Sequence, residues 1–185
     1  MDKVRIGIIG LGNMGTSHAV HITEGKVPRM ELAAICDIAE ARRTYAEEHF
    51  PGVKVFDNAT DMYKSGLLDA VIIAVPHYSH PPLAIEAFSY GLHVMTEKPA
   101  GVYTKQVLEM NEAAKKSGKV FGIMYNQRTN PVYQKIRSMI QRGDLGEIKR
   151  ITWIITNWYR KQSYHDSSAW RSTWKDEGGG TLINQ

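Results

Sequence analysis

Short apolar runs alternate with stretches of helical spacing from Val4 to about Gly122. The apolar runs cover residues 4–9, 32–36, 53–56, 70–75, 93–96 and 120–124. Their near-continuous Val, Ile and Ala content predicts strands buried on both faces, as in a parallel sheet covered by helices. Helices are predicted between them, over 14–24, 39–49, 58–65, 81–90 and 104–117. Pro82 near the start and Gly91 after the end punctuate the fourth helix. Thr104 is the expected N-cap of the fifth and Gly118 its stop. Regular strand–helix alternation makes this part a doubly wound α/β domain.

The pattern changes after Asn130-Pro131. Residues 132–142 read as a helix, with Val132, Ile136, Met139 and Ile140 on one face. Gly143-Asp144-Leu145-Gly146 then turns the chain into 148–158, a β-branched and aromatic run predicted as one long strand. Two domains are therefore expected: 1–124, and a second begun over 125–185. One strand and one helix bury little apolar surface alone, so the second is expected to be incomplete.

Composition narrows the class. Of 185 residues, 43% are apolar and 23% charged, ordinary values for a folded globular chain. The net charge of +4 is too small to imply a nucleic-acid partner. No apolar run is long enough to cross a membrane and no secretory signal opens the chain, so no membrane role and a cytoplasmic location are expected. Cys36 is the single cysteine, which excludes an intrachain disulfide and a cysteine-rich metal site; no metal is expected. Residues 1–92 carry eight basic and eleven acidic side chains, and 93–185 carry fifteen and eight. All four tryptophans fall at or after position 153, so two different kinds of surface are expected.

Candidate chemistry begins at Gly10-Leu11-Gly12-Asn13-Met14-Gly15, a G-x-G-x-x-G turn between a predicted strand and a helix. Gly10 permits the tight turn, Gly12 lets backbone approach a pyrophosphate, and Gly15 lets helix and strand pack closely. The helix N-terminus adds free N–H groups for the anion. Asp37 closes the second strand 22 residues past Gly15, where a carboxylate hydrogen-bonds an adenosine ribose. It would repel a 2′-phosphate, so NAD is expected rather than NADP. Arg42 and Arg43 are the features that favour NADP, unless they belong to a solvated helix face.

With these residues in place, the chain resembles the Gfo/Idh/MocA family of nicotinamide-dependent sugar and cyclitol oxidoreductases. Four landmarks carry the resemblance: Gly10 to Gly15, Ala74-Val75-Pro76-His77-Tyr78-Ser79-His80, Glu97-Lys98-Pro99, and Asn126-Gln127-Arg128-Thr129-Asn130-Pro131. The resemblance implies a Rossmann doubly wound parallel sheet followed by an incomplete α/β substrate domain, as in the N-terminal half of such an enzyme. It implies that Lys98 handles the proton of the reacting hydroxyl, its pKa lowered by the charge of NAD⁺. Pro99 would aim it, through a cis bond if one is present. The cofactor contacts it implies are Gly10, Gly12, Asn13, Met14, Gly15, Asp37, Ala74, Val75, Pro76, His80, Glu97 and Lys98. Val75 and His77 replace the family's commoner Thr and Asn, and His80 is either a structural histidine or a ligand contact. His18, His21, His49 and His93 read as structural or solvent-facing.

Substrate contacts are expected from Asn126, Arg128, Trp170 and Arg171. Aromatic faces suit the C–H faces of a sugar and arginine suits hydroxyls or a carboxylate, although packing or a subunit interface would use the same residues. Asn184 occupies the position where many such dehydrogenases carry an Asp, so it is expected to orient by hydrogen bonding and not to ionise. The family's general acid/base histidine falls just beyond Gln185 on this register, and the chain alone is expected to be poorly active. Hydride transfer between NAD and a sugar or cyclitol hydroxyl, in a homo-oligomer, is the reading implied. The alternatives are a redox-assisted glycoside hydrolase of the same family and a non-catalytic NAD-binding fragment.

Overall fold

The computed structural model describes residues 3–156, 159–168 and 170–179. They divide into two compact units, one of residues 3–124 with 173–179 and the other of 125–172. Asn157, Trp158, Ala169, Gly180 and Asn184, all singled out by the sequence, lie outside the described residues.

Six parallel strands build the first unit: β1 (Val4–Ile9), β2 (Met30–Cys36), β3 (Lys54–Phe56), β4 (Ala70–Ile73), β5 (His93–Thr96) and β6 (Phe121–Ile123). Their order is β3-β2-β1-β4-β5-β6. The helices between them are α1 (Asn13–Thr23), α2 (Glu40–His49), α3 (Ala59–Lys64), α4 (His80–Ser89) and α5 (Thr104–Ser117). Alternate residues of each strand feed two cores. Ile6, Ile8, Ile35 and Ile72 pack with Ala19, Ile22 and Ala46 of α1 and α2. Ile9, Ala34, Val71, Ile73 and Val94 pack with Met62, Ala84, Phe88 and Met110 of α3, α4 and α5. The doubly wound α/β sheet expected from the alternation is observed, in the Rossmann form that the resemblance implied.

Local details follow the side chains. Asn58 caps α3 by accepting the Asp61 N–H at 2.8 Å, and Gly118 ends α5 with φ +65°. Tyr103, not Thr104, is the N-cap residue of α5, and Thr104 is its first helical position. Strand β4 stops at Ile73, two residues short of the apolar run, because Ala74 and Val75 already belong to the following loop.

In the second unit, α6 (Pro131–Gln141) begins behind Asn130, whose side chain accepts the Val132 N–H at 2.9 Å. A short helix, α7 (Gln162–His165), follows. The strand expected over 148–158 is not formed in its described part: residues 148–156 hold no regular structure. A strand needs a partner for its backbone hydrogen bonds, and none pairs with this run among the described residues. Ile151, Trp153 and Ile154 stay exposed there. Among the described residues no helix is long and apolar enough to cross a membrane.

Candidate functional site

Because β1 and β4 are neighbours whose onward connections run in opposite directions, the loops after them face each other at the carboxyl edge of the sheet. Gly10 lies at that edge with φ +88°. A Cβ there would stand 2.6 Å from Ala74 O, so the two loops approach too closely for any other residue. A Cβ on Gly15 would stand 1.8 Å from Gly10 O, which seats the start of α1 directly on the turn. A Cβ on Gly12 would meet open space, with no atom of the described residues within 4 Å. Gly12 is also the N-cap of α1, with no side-chain cap and no acidic residue in the first turn. The glycine turn thus leaves the first N–H groups of α1 without a side-chain cap, beside open space at Gly12.

Asp37 follows β2 with both carboxylate oxygens engaged by backbone. Oδ2 accepts the Leu11 N–H at 2.7 Å and Oδ1 the Ala39 N–H at 2.9 Å. Arg43 donates to the carbonyls of Asp37 and Ile38 at 3.0 and 2.8 Å, which turns its guanidinium to the loop backbone. Ile38 is 89% exposed beside it. Burial, and then the charge of Asp37, pushes the Cys36 thiol up to about 12, so Cys36 is a protonated core residue.

The loop after β4 carries two buried histidines. His77 Nδ1 donates to Glu177 O at 2.8 Å, and Tyr78 OH donates to Trp174 O at 3.3 Å, which fastens residues 173–179 to this loop. His80 is fully buried, with Nδ1 2.7 Å from Pro99 O and Nε2 2.8 Å from Val75 O. Burial pushes both imidazoles below their ordinary range. The backbone acceptors at each pull the other way. His80 therefore braces the Val75 loop against the Lys98–Pro99 turn, both its ring nitrogens facing backbone.

Strand β5 delivers Glu97 and Lys98 to the same edge, and the Lys98–Pro99 peptide is cis. Lys98 is exposed, whereas Glu97 is buried. His18 Nε2 lies 2.8 Å from Glu97 Oε1, and the Lys98 N–H donates to Oε2 at 3.3 Å. Thr96 Oγ1, one residue earlier, is buried with no hydrogen-bond partner among the described residues.

Within the second unit, Asn126 and Arg128 sit in a short exposed turn ahead of α6. Arg171 lies between Tyr164 and Trp170. Arg171 donates to Tyr164 OH at 2.6 Å and lies 4.5 Å from that ring and 4.7 Å from the Trp170 ring. Arg160 stacks on Tyr164 as well, at 4.7 Å.

A dinucleotide turn, an acid closing β2 and a Glu-Lys-cis-Pro segment share one sheet edge, in the order the family pattern requires. The profile of an oxidoreductase family with an NAD-binding Rossmann fold matches residues 4–125, and that of the GFO/IDH/MocA C-terminal domain matches 133–185. The chain belongs to the Gfo/Idh/MocA family.

This Gfo/Idh/MocA chain is 29% identical over 166 residues to the inositol 2-dehydrogenase of Corynebacterium glutamicum, covering 89% of the chain and 49% of that relative. A glycosyl hydrolase family 109 protein of Shewanella baltica is 28% identical over 98% of the chain and 42% of its own length. Among solved structures, the WlbA dehydrogenase from Bordetella pertussis, in complex with NADH and UDP-GlcNAcA, superposes with a TM-score of 0.87 at 29% identity. That match covers 99% of this chain and 52% of the other. The scyllo-inositol dehydrogenase from Lactobacillus casei, with bound NAD(H) and scyllo-inositol, gives 0.74 at 28% identity over 80% and 43%. The chain spans about half the length of the curated relatives it matches.

The first unit of this family member is therefore an NAD-binding Rossmann domain. The sequence reading missed two contacts of this unit and one of the second. In the first, His18 read as structural or solvent-facing and meets Glu97, and Glu177 and Trp174 return from the far end of the chain to the loop after β4; in the second, Arg171 joins Tyr164 to Trp170. Only His18 had a local signal, its place on the helix that opens at the glycine turn.

Proposed function

We propose that the protein is an NAD-dependent oxidoreductase acting on a sugar or cyclitol hydroxyl, with residues 125–185 beginning its substrate and dimerisation domain. The observation that carries this is the placement of Lys98 at the end of β5, two strands from the glycine turn at the switch point of the sheet. The uncovered N–H groups at Gly12, Asn13 and Met14 hold the pyrophosphate, with Gly10 and Gly15 setting the turn. Asp37 takes the adenosine ribose, which favours NAD over NADP. Ala74, Val75, Pro76 and Glu97 wall the nicotinamide side, and His80 holds that wall in place. NAD, when bound, supplies the hydride acceptor. The Lys98 ammonium polarises the alcohol oxygen and takes part in moving its proton, an interaction that strengthens as the alkoxide develops.

Asn126, Arg128, Trp170 and Arg171 supply sugar contacts in this reading, and Asn184 orients the reacting group. The protein works in the cytoplasm as a homo-oligomer. The family 109 relative favours a second reading, in which oxidation by NAD is transient and serves glycoside cleavage.

The test is NADH formation by the purified protein across a panel of sugars and inositols, with glycoside release measured alongside. Net NADH is the result expected, and glycoside release without NADH would establish the second reading. Lys98→Met keeps the apolar stem and should lower kcat about 100-fold at saturating NAD and substrate. A variant with near-normal kcat and a raised cofactor Kd would reduce Lys98 to a cofactor contact.

A further inference from the structure

His18 and Glu97 stand 79 positions apart in the chain and meet beside the residue that carries the chemistry. His18 lies on α1 one turn beyond Gly15, where the helix is pressed onto the phosphate turn. Glu97 has its backbone N–H on Ile73 O at 2.8 Å, so β4 fixes where its side chain starts. The two side chains retain only 16% and 10% of their exposure. A carboxylate that deep must be satisfied by donors, because water no longer solvates it fully. It has two among the described contacts: His18 Nε2 on Oε1 at 2.8 Å and the Lys98 N–H on Oε2 at 3.3 Å.

The two contacts differ in quality. The short one to His18 determines where the carboxylate plane points, and the longer one to the Lys98 amide depends on that plane. We propose that His18 is a positioning residue for Lys98, acting through Glu97: it orients the carboxylate that holds the lysine's amide and so ties the backbone from which the Lys98 side chain springs to the helix that starts at the phosphate turn. The proposal rests on the role given to Lys98 above. Without the imidazole, Glu97 loses its best donor, swings toward solvent and releases the Lys98 amide. Because α1 also presents the pyrophosphate donors, whatever orders the start of the helix favours the ordered Lys98 turn, and the coupling is reciprocal. His18 thus reports cofactor docking to the reacting end of the site without touching either.

The test compares the wild-type chain with His18→Leu and His18→Gln. Glutamine places an amide N–H at about the reach of the imidazole Nε2, so it restores the donor without the ring. Amide hydrogen exchange is read without cofactor at Lys98 and, as a control, at Ile35 in the core of β2; the NAD Kd is then read by calorimetry. His18→Leu should speed Lys98 exchange about tenfold or more with Ile35 unchanged, and should raise the NAD Kd severalfold. His18→Gln should recover most of both. Wild-type exchange at Lys98 in His18→Leu would overturn the proposal, as would equal acceleration at Ile35 or a glutamine variant no better than leucine. A wild-type chain that binds no NAD would overturn the functional reading instead, and the cofactor-free exchange data tell the two failures apart.

Discussion

Alanine at Gly12 and alanine at Gly15 should separate cofactor binding from folding, although the two positions are three residues apart. At Gly15 the new Cβ would stand 1.8 Å from Gly10 O and 2.9 Å from Gly10 C, both backbone atoms that no rotamer change can move. Ordinary contact requires the start of α1 to retreat by roughly 1.5 Å, which strips packing from Ile8 and Ala19. Overpacking of this kind costs about 3 kcal/mol, of which alanine's smaller unfolded-state entropy returns less than about 1 kcal/mol. For a unit of this size the melting temperature should fall by about 6–10 °C.

At Gly12 the Cβ meets nothing, and φ −74° with ψ −164° is extended backbone that alanine adopts freely. Gly12→Ala should therefore melt within about 2 °C of wild type. On the proposed phosphate placement, its methyl instead enters the space of the pyrophosphate. Losing one charge-assisted N–H contact costs about 2 kcal/mol, a roughly thirtyfold rise in NAD Kd. Calorimetric melting and NAD titration of both variants check this. A Gly12→Ala chain that binds NAD as tightly as wild type would refute the placement of the phosphates, and a Gly15→Ala chain with unchanged melting would refute the packing argument.

Two further predictions concern charge. The unmodified chain should bind NAD more tightly than NADP, and Asp37→Ala should narrow the gap by removing the ribose acceptor and the repulsion of a 2′-phosphate; titration of both cofactors decides it, and a wild-type preference for NADP would sink the assignment. Burial holds His77 and His80 below their ordinary value of 6.5 in the fold, so below that pH the unfolded chain binds more protons than the folded one. Stability should be flat above about pH 7 and fall as the pH drops below 6.5, by up to about 1.4 kcal/mol per pH unit for each imidazole. Denaturant unfolding against pH should show His77→Asn with a shallower slope, and equal slopes would remove His77 as a contributor.

Much of this protein is written in short stretches of chain. Strand–helix alternation reflects local burial, so five helices and six strands were legible within a few residues from periodicity. The glycine turn and Asp37 stood out because their spacing lies within one strand–turn–helix unit and the strand after it, and the Glu-Lys-Pro segment stood out through the family resemblance. Contacts between distant residues were not. Nothing near His18 specifies Glu97, and nothing near Glu177 specifies His77, until parallel strands bring the ends of β1, β4 and β5 to one edge. His80 shows the difference at one residue: the sequence placed it in the right loop, but only the fold buries it between Val75 O and Pro99 O and makes it a brace. The strand expected over 148–158, absent from its described part 148–156, shows it in reverse. β-branched and aromatic residues confer a preference for extended backbone, whereas a strand exists only when a second strand takes its hydrogen bonds, and that is a property of tertiary structure.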